Sequence, residues 1–137
     1  MTFGAVVLLL TAAIVAIGVY WRSTQRSSSY GMEEQYALSD KAVADLKPLA
    51  LAGDCAAARR LSLHYLNVAL NFDEGLRWAR VAARCPDVLD KMRLVVLLRQ
   101  LQRSPAVDLE IERTVEEIGR IDPGEGERVR STVNEKP

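Results

Sequence analysis

An uncharged apolar run near the start of the chain constrains its fold more than any other feature. Residues 3–21 contain no charged side chain and end in Tyr20 and Trp21, which Arg22 follows. At about 1.5 Å of rise per residue, a helix over this run spans roughly 28 Å, close to the ~30 Å hydrocarbon core of a bilayer. Aromatic residues followed by a cation are typical of a membrane interface. We therefore expect residues 1–22 to form a transmembrane anchor.

A cleavable signal peptide is the alternative interpretation of this run. Such a peptide has a basic start, a shorter apolar stretch of about 7–15 residues, and small residues before its cleavage site. Met1 and Thr2 carry no side-chain charge, and the run ends in two bulky aromatic rings. These differences favour an uncleaved, single-pass anchor.

The rest of the chain divides into three parts by composition. Residues 23–32 are polar and rich in serine, and we expect them to be a flexible tether beside the membrane. Residues 33–122 have the pattern of a helical-repeat domain. Residues 123–137 are predicted to be a charged C-terminal tail that frays or adds one helical turn. The residues after the anchor are enough for one small domain.

Charge and residue inventory argue against several classes of function. The chain has 18 basic and 18 acidic residues, so no net field attracts it to nucleic acid. His64 is its only histidine. The sequence therefore offers no zinc site of usual spacing and no set of partner residues for nucleophilic catalysis with a histidine. Glu112, Glu116 and Glu117 are interleaved with arginines, as on a solvated, ion-paired helix face. We expect no enzymatic activity, no cofactor or metal, no nucleic acid and no small-molecule substrate.

Apolar spacing and capping residues divide the domain into helices joined by short turns. Apolar residues recur at steps of three and four, and proline or glycine follows several of these segments. Short turns force antiparallel neighbours, so stacked helical hairpins are the simplest packing. The fold class predicted is all-α, with a small α-solenoid after the anchor. The residues that we expect to cap helices are Ser39 with Asp40, Asp54, Asp73, Asp87 and Ser104.

The segment from Ala58 to Cys85 resembles a Sel1-like repeat, a relative of the tetratricopeptide repeat. Leu61 to Tyr65 stand where that family has Leu-Gly-x-x-Tyr, and Gly75 to Ala83 stand where it has Ala-x-x-Trp-Tyr-x-Lys-Ala-Ala. The family's Gly-x-Gly turn is replaced by residues 68–70. The resemblance implies paired antiparallel helices that stack into a superhelix.

The two cysteines occupy related positions in the expected hairpin. If the hairpin turns near residue 71, Cys55 and Cys85 fall at the same end, offset by roughly 4–5 Å along the axis. A disulfide needs Cα atoms about 4.4–6.8 Å apart, so a bridge is within reach. The alternative is that both are small buried side chains. Secreted, cysteine-rich Sel1-like proteins look similar, and that resemblance implies a bridge that joins the two helices of one repeat at these places.

The side of the membrane is open to two arguments. A Cys55–Cys85 bridge requires an oxidising compartment and therefore favours the periplasmic face. Arg22 and Arg26 follow the anchor while nothing basic precedes it, which favours the cytoplasmic face. Two arginines are a modest bias, so we expect a bacterial inner-membrane protein whose domain is periplasmic.

Five residues of the expected hairpin are candidates for binding a partner. Its aromatic rings either form the packing core or anchor another protein, and its arginines either face water or meet an acidic protein. The negative helix over 108–117 is a competing partner for those arginines within the domain. The candidates are Arg59, Tyr65, Arg77, Trp78 and Arg80.

The expected function is that of a membrane-anchored helical module that binds another protein. Small envelope-anchored proteins with Sel1-like repeats are similar to the immunity proteins that bacteria keep against antibacterial effectors, notably lipases of the type VI secretion system. The resemblance thus implies a toxin or effector as partner. The alternative is a structural adaptor or assembly factor for an envelope protein complex.

Overall fold

A computed structural model describes residues 35–135 of the chain. This part is all-helical and contains no strand, as the sequence predicts. None of the helices in the part described is both long enough and apolar enough to cross a membrane. The predicted anchor, residues 1–22, and the predicted tether, residues 23–32, lie outside the described residues.

Six helices follow one another from residue 40 onward, all within the unit that begins at Leu38. Residues 35 and 36 are helical as well. The six are α1 Asp40–Leu51, α2 Cys55–Asn67, α3 Phe72–Ala82, α4 Val88–Leu98, α5 Pro105–Ile121 and α6 Pro123–Asn134.

Most helix starts are capped as predicted. The side chains of Ser39, Asp54, Asp87 and Ser104 each accept a hydrogen bond from the backbone N–H three residues later. The start of α3 differs, because the amide oxygen of Asn71 accepts from the N–H of Glu74 at 3.1 Å. The predicted cap of this helix, Asp73, lies instead inside its first turn, where the helix dipole favours a negative charge.

The C-terminal segment differs from its prediction as a charged tail. Residues 123–134 form α6, which starts directly after α5, with Asp122 as the cap between them. Pro123 stands at the first helical position, where its missing N–H costs no hydrogen bond. Val129 and Val133 pack on the core of the domain, which explains why the segment is helical despite its many charges.

Consecutive helices pack against each other and run in opposite directions. Lys91, near the start of α4, donates to Glu117, near the end of α5. Gly126 of α6 lies against Gly119 of α5, close to the turn that joins them. Helices α2, α4 and α6 therefore run one way and α1, α3 and α5 the other.

The closest pairing is that of α2 with α3, and small residues allow it. A Cβ atom on Gly75 would lie 2.5 Å from the side chain of Leu66. The hydroxyl of Ser62, which is buried, donates to the carbonyl oxygen of Gly75 at 2.9 Å. The hairpin thus has a backbone contact that a larger residue at position 75 would push apart.

Two groups of buried apolar residues make the core. One lies among α1, α2 and α3 and includes Leu61 and Trp78. The other lies among α3, α4, α5 and α6 and includes Leu94, Leu98 and Ile118. The sequence predicts that the apolar run of α4, residues 94–98, is buried between neighbouring helices. This holds for every residue of the run except Val96, which is 58% exposed.

Candidate functional site

Arg59 is held by the start of α4. Its Nε donates to Asp90 Oδ1 at 2.8 Å, and its Nη2 lies 2.6 Å from Asp90 Oδ2 and 3.0 Å from Asp87 Oδ2. Arg93 Nη1 donates to the same Asp90 carboxylate at 2.9 Å. Since the side chain of Asp90 is fully buried, Arg59 is a structural ion partner between α2 and α4.

The pKa shifts in this cluster follow from its hydrogen bonds. The bond to Asp90 raises the pKa of Arg59 above its usual value, against the opposing effect of burial. The backbone N–H of Asp90 lowers the pKa of Asp87, and the positive charge of Arg59 lowers it further. Both groups are therefore held in their charged forms.

Arg80 and Arg77 also have partners within the domain. Arg80 lies on α3 and donates from Nε and Nη2 to the two carboxylate oxygens of Glu110 on α5, at 2.7 and 2.8 Å. This paired hydrogen bonding raises the pKa of Arg80. Arg77 pairs with Glu74 one turn earlier at 3.2 Å. The helix that contains Glu110 is the negative helix that the sequence offers as an internal partner.

The aromatic candidates belong to the hairpin core. Trp78 is 1% exposed, and its Nε1 donates to Glu74 at 3.2 Å. Tyr65 is half-buried and packs against the same core, with the ammonium of Lys47 5.8 Å from its ring centre. His64 beside it accepts a hydrogen bond from the backbone N–H of Leu38. The burial of Trp78 agrees with the packing interpretation of that residue.

The two cysteines lie at disulfide distance. The Cα atoms of Cys55 and Cys85 are 6.2 Å apart, at the end of the α2–α3 hairpin where Arg59 also meets Asp87. The predicted juxtaposition is confirmed. The cysteine pair thus lies at the same end of the hairpin as the ion pairs that join α2 to the start of α4.

Two buried charged residues are missing from the sequence predictions. Lys91 is 4% exposed; its Nζ donates to the carbonyl oxygen of Ala83 at 2.6 Å and to Glu117 at 2.5 Å. Asp90 beside it binds Arg59 and Arg93. The one available signal was an adjacent pair of opposite charges near the start of a largely apolar helix. Their partners lie far away in sequence, so the pattern did not identify them.

One open surface of the domain is a groove between α4 and α6, of about 270 Å³. We call it the α4–α6 groove. Its apolar part is formed by Met92, Val95 and Val96 of α4 with Val129 and Val133 of α6. Three charged side chains, Glu125, Arg128 and Arg99, lie around these residues. The sequence does not predict this groove, because its pattern indicates that residues 123–137 fray or add only one helical turn.

Metal ligands and buried polar groups of the described residues give no further candidate site. Among residues 35–135, no group of three His, Cys, Asp or Glu side chains is arranged to hold a metal ion. Every buried side-chain nitrogen or oxygen in that range has a hydrogen-bond partner. The predicted binding residues Arg59, Arg77, Trp78 and Arg80 each contact a carboxylate of this same domain.

Comparison with protein-family models, curated proteins and solved structures gives no match to this chain.

Proposed function

We propose that this chain is a membrane-anchored protein of stacked helical hairpins that binds another protein. The observation that carries the proposal is the α4–α6 groove, where Val96 is 58% exposed within an apolar run, residues 94–98, whose other members are buried. An apolar centre with a charged rim is typical of protein contact sites. The arginines that the sequence favoured form ion pairs within the domain, which supports binding through the groove and not through the α2–α3 hairpin.

The links between alternate helices support the stacked-hairpin part of this proposal. Arg59 and Asp90 are 31 residues apart, and Arg80 and Glu110 are 30 residues apart. A nearly constant offset is expected when similar hairpins stack, and it is close to the roughly 34 residues of a tetratricopeptide unit. Membership of the Sel1-like repeats stays a prediction.

The membrane part rests on sequence. The apolar run of residues 3–21 is long enough for one span, and the ten residues after Arg22 reach up to about 35 Å when extended. Cys55 and Cys85 lie at disulfide distance, which favours an oxidising compartment. We therefore propose a single-pass protein of a bacterial inner membrane whose helical domain faces the periplasm.

The resemblance of Ala58 to Cys85 to a Sel1-like repeat leads to a sharper form of the proposal. In this form the chain is an immunity protein, and its partner is a cognate antibacterial effector such as a type VI lipase. Binding would cover the active cleft of the effector without any reaction in this chain. A rigid domain near the bilayer surface is suited to meeting an effector that attacks lipid.

The test is isolation of the tagged full chain from membranes, followed by identification of what copurifies. We expect one stoichiometric partner that Val96→Glu removes and Arg60→Glu retains, because Arg60 is exposed on α2 and outside the groove. Cells without the chain should die only when that partner is active. Several partners and a lost assembly, without any loss of resistance, would favour the adaptor function instead.

A further inference from the structure

We propose that the α4–α6 groove receives one amphipathic helix of the partner, antiparallel to α4 and α6, with acidic residues in its first turn. This inference rests on the proposed function and names the chemistry of the partner at the same site. It follows from the shape of the groove, the direction of its two walls and the position of Arg99.

The spacing of the lining residues suits the binding of a helix. On α4 the lining residues Met92, Val95, Val96 and Arg99 recur at steps of three and four, so they form one stripe along the helix. Val95 is 3% exposed and lies at the floor, whereas Val96 is 58% exposed and lies at the edge. A ridge of apolar side chains at the same spacing on another helix would fill such a trough.

The open shape of the groove favours side chains over a free small molecule. Its volume of about 270 Å³ is close to the lower end of the roughly 300–1,000 Å³ of pockets that enclose small ligands. The groove is also open along its length, so a small ligand would keep much of its surface in water. A helix laid along the groove would bury apolar area over the whole lining.

The direction of the bound helix follows from the walls. Helices α4 and α6 run the same way, so their C-terminal ends, with their partial negative charge, lie at the same end of the groove. A third helix is favoured when its positive N-terminal end lies beside them. Helix α5 already packs against both in this antiparallel sense on the inner side.

Arg99 determines the charge of the bound helix. It caps the C-terminal end of α4, lies at the edge of the groove and is exposed. It has no acidic partner among residues 35–135, whereas Arg128 in the same lining pairs with Glu125. The first turn of an antiparallel helix would lie nearest to Arg99, and acidic residues are favoured in a first turn.

The domain contains the same arrangement once within itself. Arg103, in the connection after α4, pairs with Asp108 in the first turn of α5 at 2.5 Å. Helix α5 is antiparallel to α4, just as the proposed partner helix is. The partner helix would therefore repeat on the outer side of α4 a contact that α5 makes on the inner side.

The charge of the groove is too small to favour a lipid surface. A juxtamembrane cation contributes only about 1 kcal/mol of attraction to an anionic bilayer, and stable binding takes several cations. The lining offers a single arginine without an acidic partner in the part of the chain described here. The occupant we commit to is therefore a helix of another protein.

The experiment is selection of displayed peptides on the purified full chain in detergent. The library consists of 16-residue amphipathic helices that have an apolar stripe and a randomised first turn. When the unaltered chain is the target, we expect Asp and Glu to be enriched in the first turn of the selected peptides. When Arg99→Glu is the target, we expect Lys and Arg to be enriched there instead. The best acidic peptide should bind Arg99→Glu about tenfold more weakly, as lost contact between close opposite charges implies.

Two further variants are controls for specificity and folding. Val96→Glu should abolish selection while leaving the helical circular dichroism spectrum unchanged, because position 96 is already exposed. Arg60→Glu makes the same charge reversal outside the groove and should select the same peptides as the unaltered chain. Three results would overturn the inference. They are enrichment of peptides without a charge preference in the first turn, enrichment that Val96→Glu leaves unchanged, and no enrichment at all.

The remaining outcomes separate this inference from the proposed function. Self-association of the full chain that Val96→Glu abolishes would identify a second copy as the occupant and overturn the inference. Binding to vesicles of phosphatidylglycerol that Val96→Glu abolishes would identify lipid as the occupant and would also overturn the inference. If the cellular partner is lost with Val96→Glu but kept with Arg99→Glu, the proposed function stands and only the acidic antiparallel helix is wrong.

Discussion

The carboxylate of Asp90 is fully buried on α4, and Arg59, 31 residues earlier on α2, lies 2.6 Å from it through Nη2. A buried charge is costly unless charged partners and hydrogen bonds offset its lost hydration. Asp90 has two such partners, Arg59 and Arg93, both of which reach solvent. The pair therefore joins two helices that are not neighbours in sequence.

Removing the arginine from this pair should destabilise the domain. Arg59→Met keeps most of the alkyl packing but leaves Asp90 with Arg93 alone, so we expect a loss of about 2–3 kcal/mol in the free energy of unfolding. Arg60→Met, on the neighbouring exposed position, should change it by less than about 0.5 kcal/mol. Urea unfolding followed by circular dichroism measures both. Equal effects of the two substitutions would contradict the role given to Arg59.

Stability should also depend on pH through Asp87. Its folded-state pKa is lowered from the ordinary value of 3.8, chiefly by the backbone N–H of Asp90. Its contribution is therefore fully present above pH 3.8 and is lost as pH falls through the lowered value. Asp87→Asn still caps α4 but does not titrate. We expect the difference in unfolding free energy between the unaltered chain and Asp87→Asn to shrink on acidification, and a constant difference would contradict this.

The local parts of this fold could be predicted from sequence, and the distant contacts could not. Ser39, Asp54 and Ser104 mark helix starts because a cap acts on the backbone only three residues away. The bond from Arg59 to Asp90 joins residues 31 positions apart, and no local pattern contains it. The sequence did not predict α6 for the same reason, since its helical state depends on packing against α4 and α5.

The contact between α5 and α6 should tolerate a methyl group on one side only. A Cβ on Gly126 would lie 2.4 Å from the Cα of Gly119, whereas a Cβ on Gly119 would lie 3.9 Å from the Cα of Gly126. We expect Gly126→Ala to cost about 1–3 kcal/mol and to weaken the docking of α6. Gly119→Ala should be neutral or stabilising by up to about 1 kcal/mol, because alanine favours helix.

Hydrogen exchange of the α6 amides measures how each of these two variants affects the docking of α6. Faster exchange across residues 123–134 in Gly126→Ala, with protection kept in Gly119→Ala, is the expected pattern. The reverse order would show that the close approach lies elsewhere. Since α6 forms one wall of the α4–α6 groove, Gly126→Ala should also weaken binding of the partner.

The turn between α2 and α3 contains a strained residue. Leu70 has a φ of +50° and is 80% exposed, so it adopts a left-handed conformation with little burial in return. This conformation costs an ordinary residue about 1–2 kcal/mol, and glycine avoids that cost while losing more chain entropy. We expect Leu70→Gly to raise the stability of the domain by up to about 1 kcal/mol.

The neighbouring residue is the control for that variant. Ala69 has no positive φ, so Ala69→Gly should only add unfolded-state entropy and lower the stability by about 0.5–1 kcal/mol. Thermal unfolding midpoints of the two variants should therefore move in opposite directions. A fall in the midpoint with Leu70→Gly would mean that the leucine side chain makes a stabilising contact in the full chain.

Photo-crosslinking from position 96 of the full chain, in intact cells of its source, tests whether a membrane-anchored domain binds its partner through the α4–α6 groove. A photoreactive amino acid replaces Val96, and membrane and soluble fractions are compared after irradiation. We expect one dominant adduct with another protein, in the membrane fraction, which Arg99→Glu removes and Arg60→Glu keeps. No protein adduct, or an adduct found only in the soluble fraction, would contradict a membrane-anchored domain that binds its partner through the α4–α6 groove.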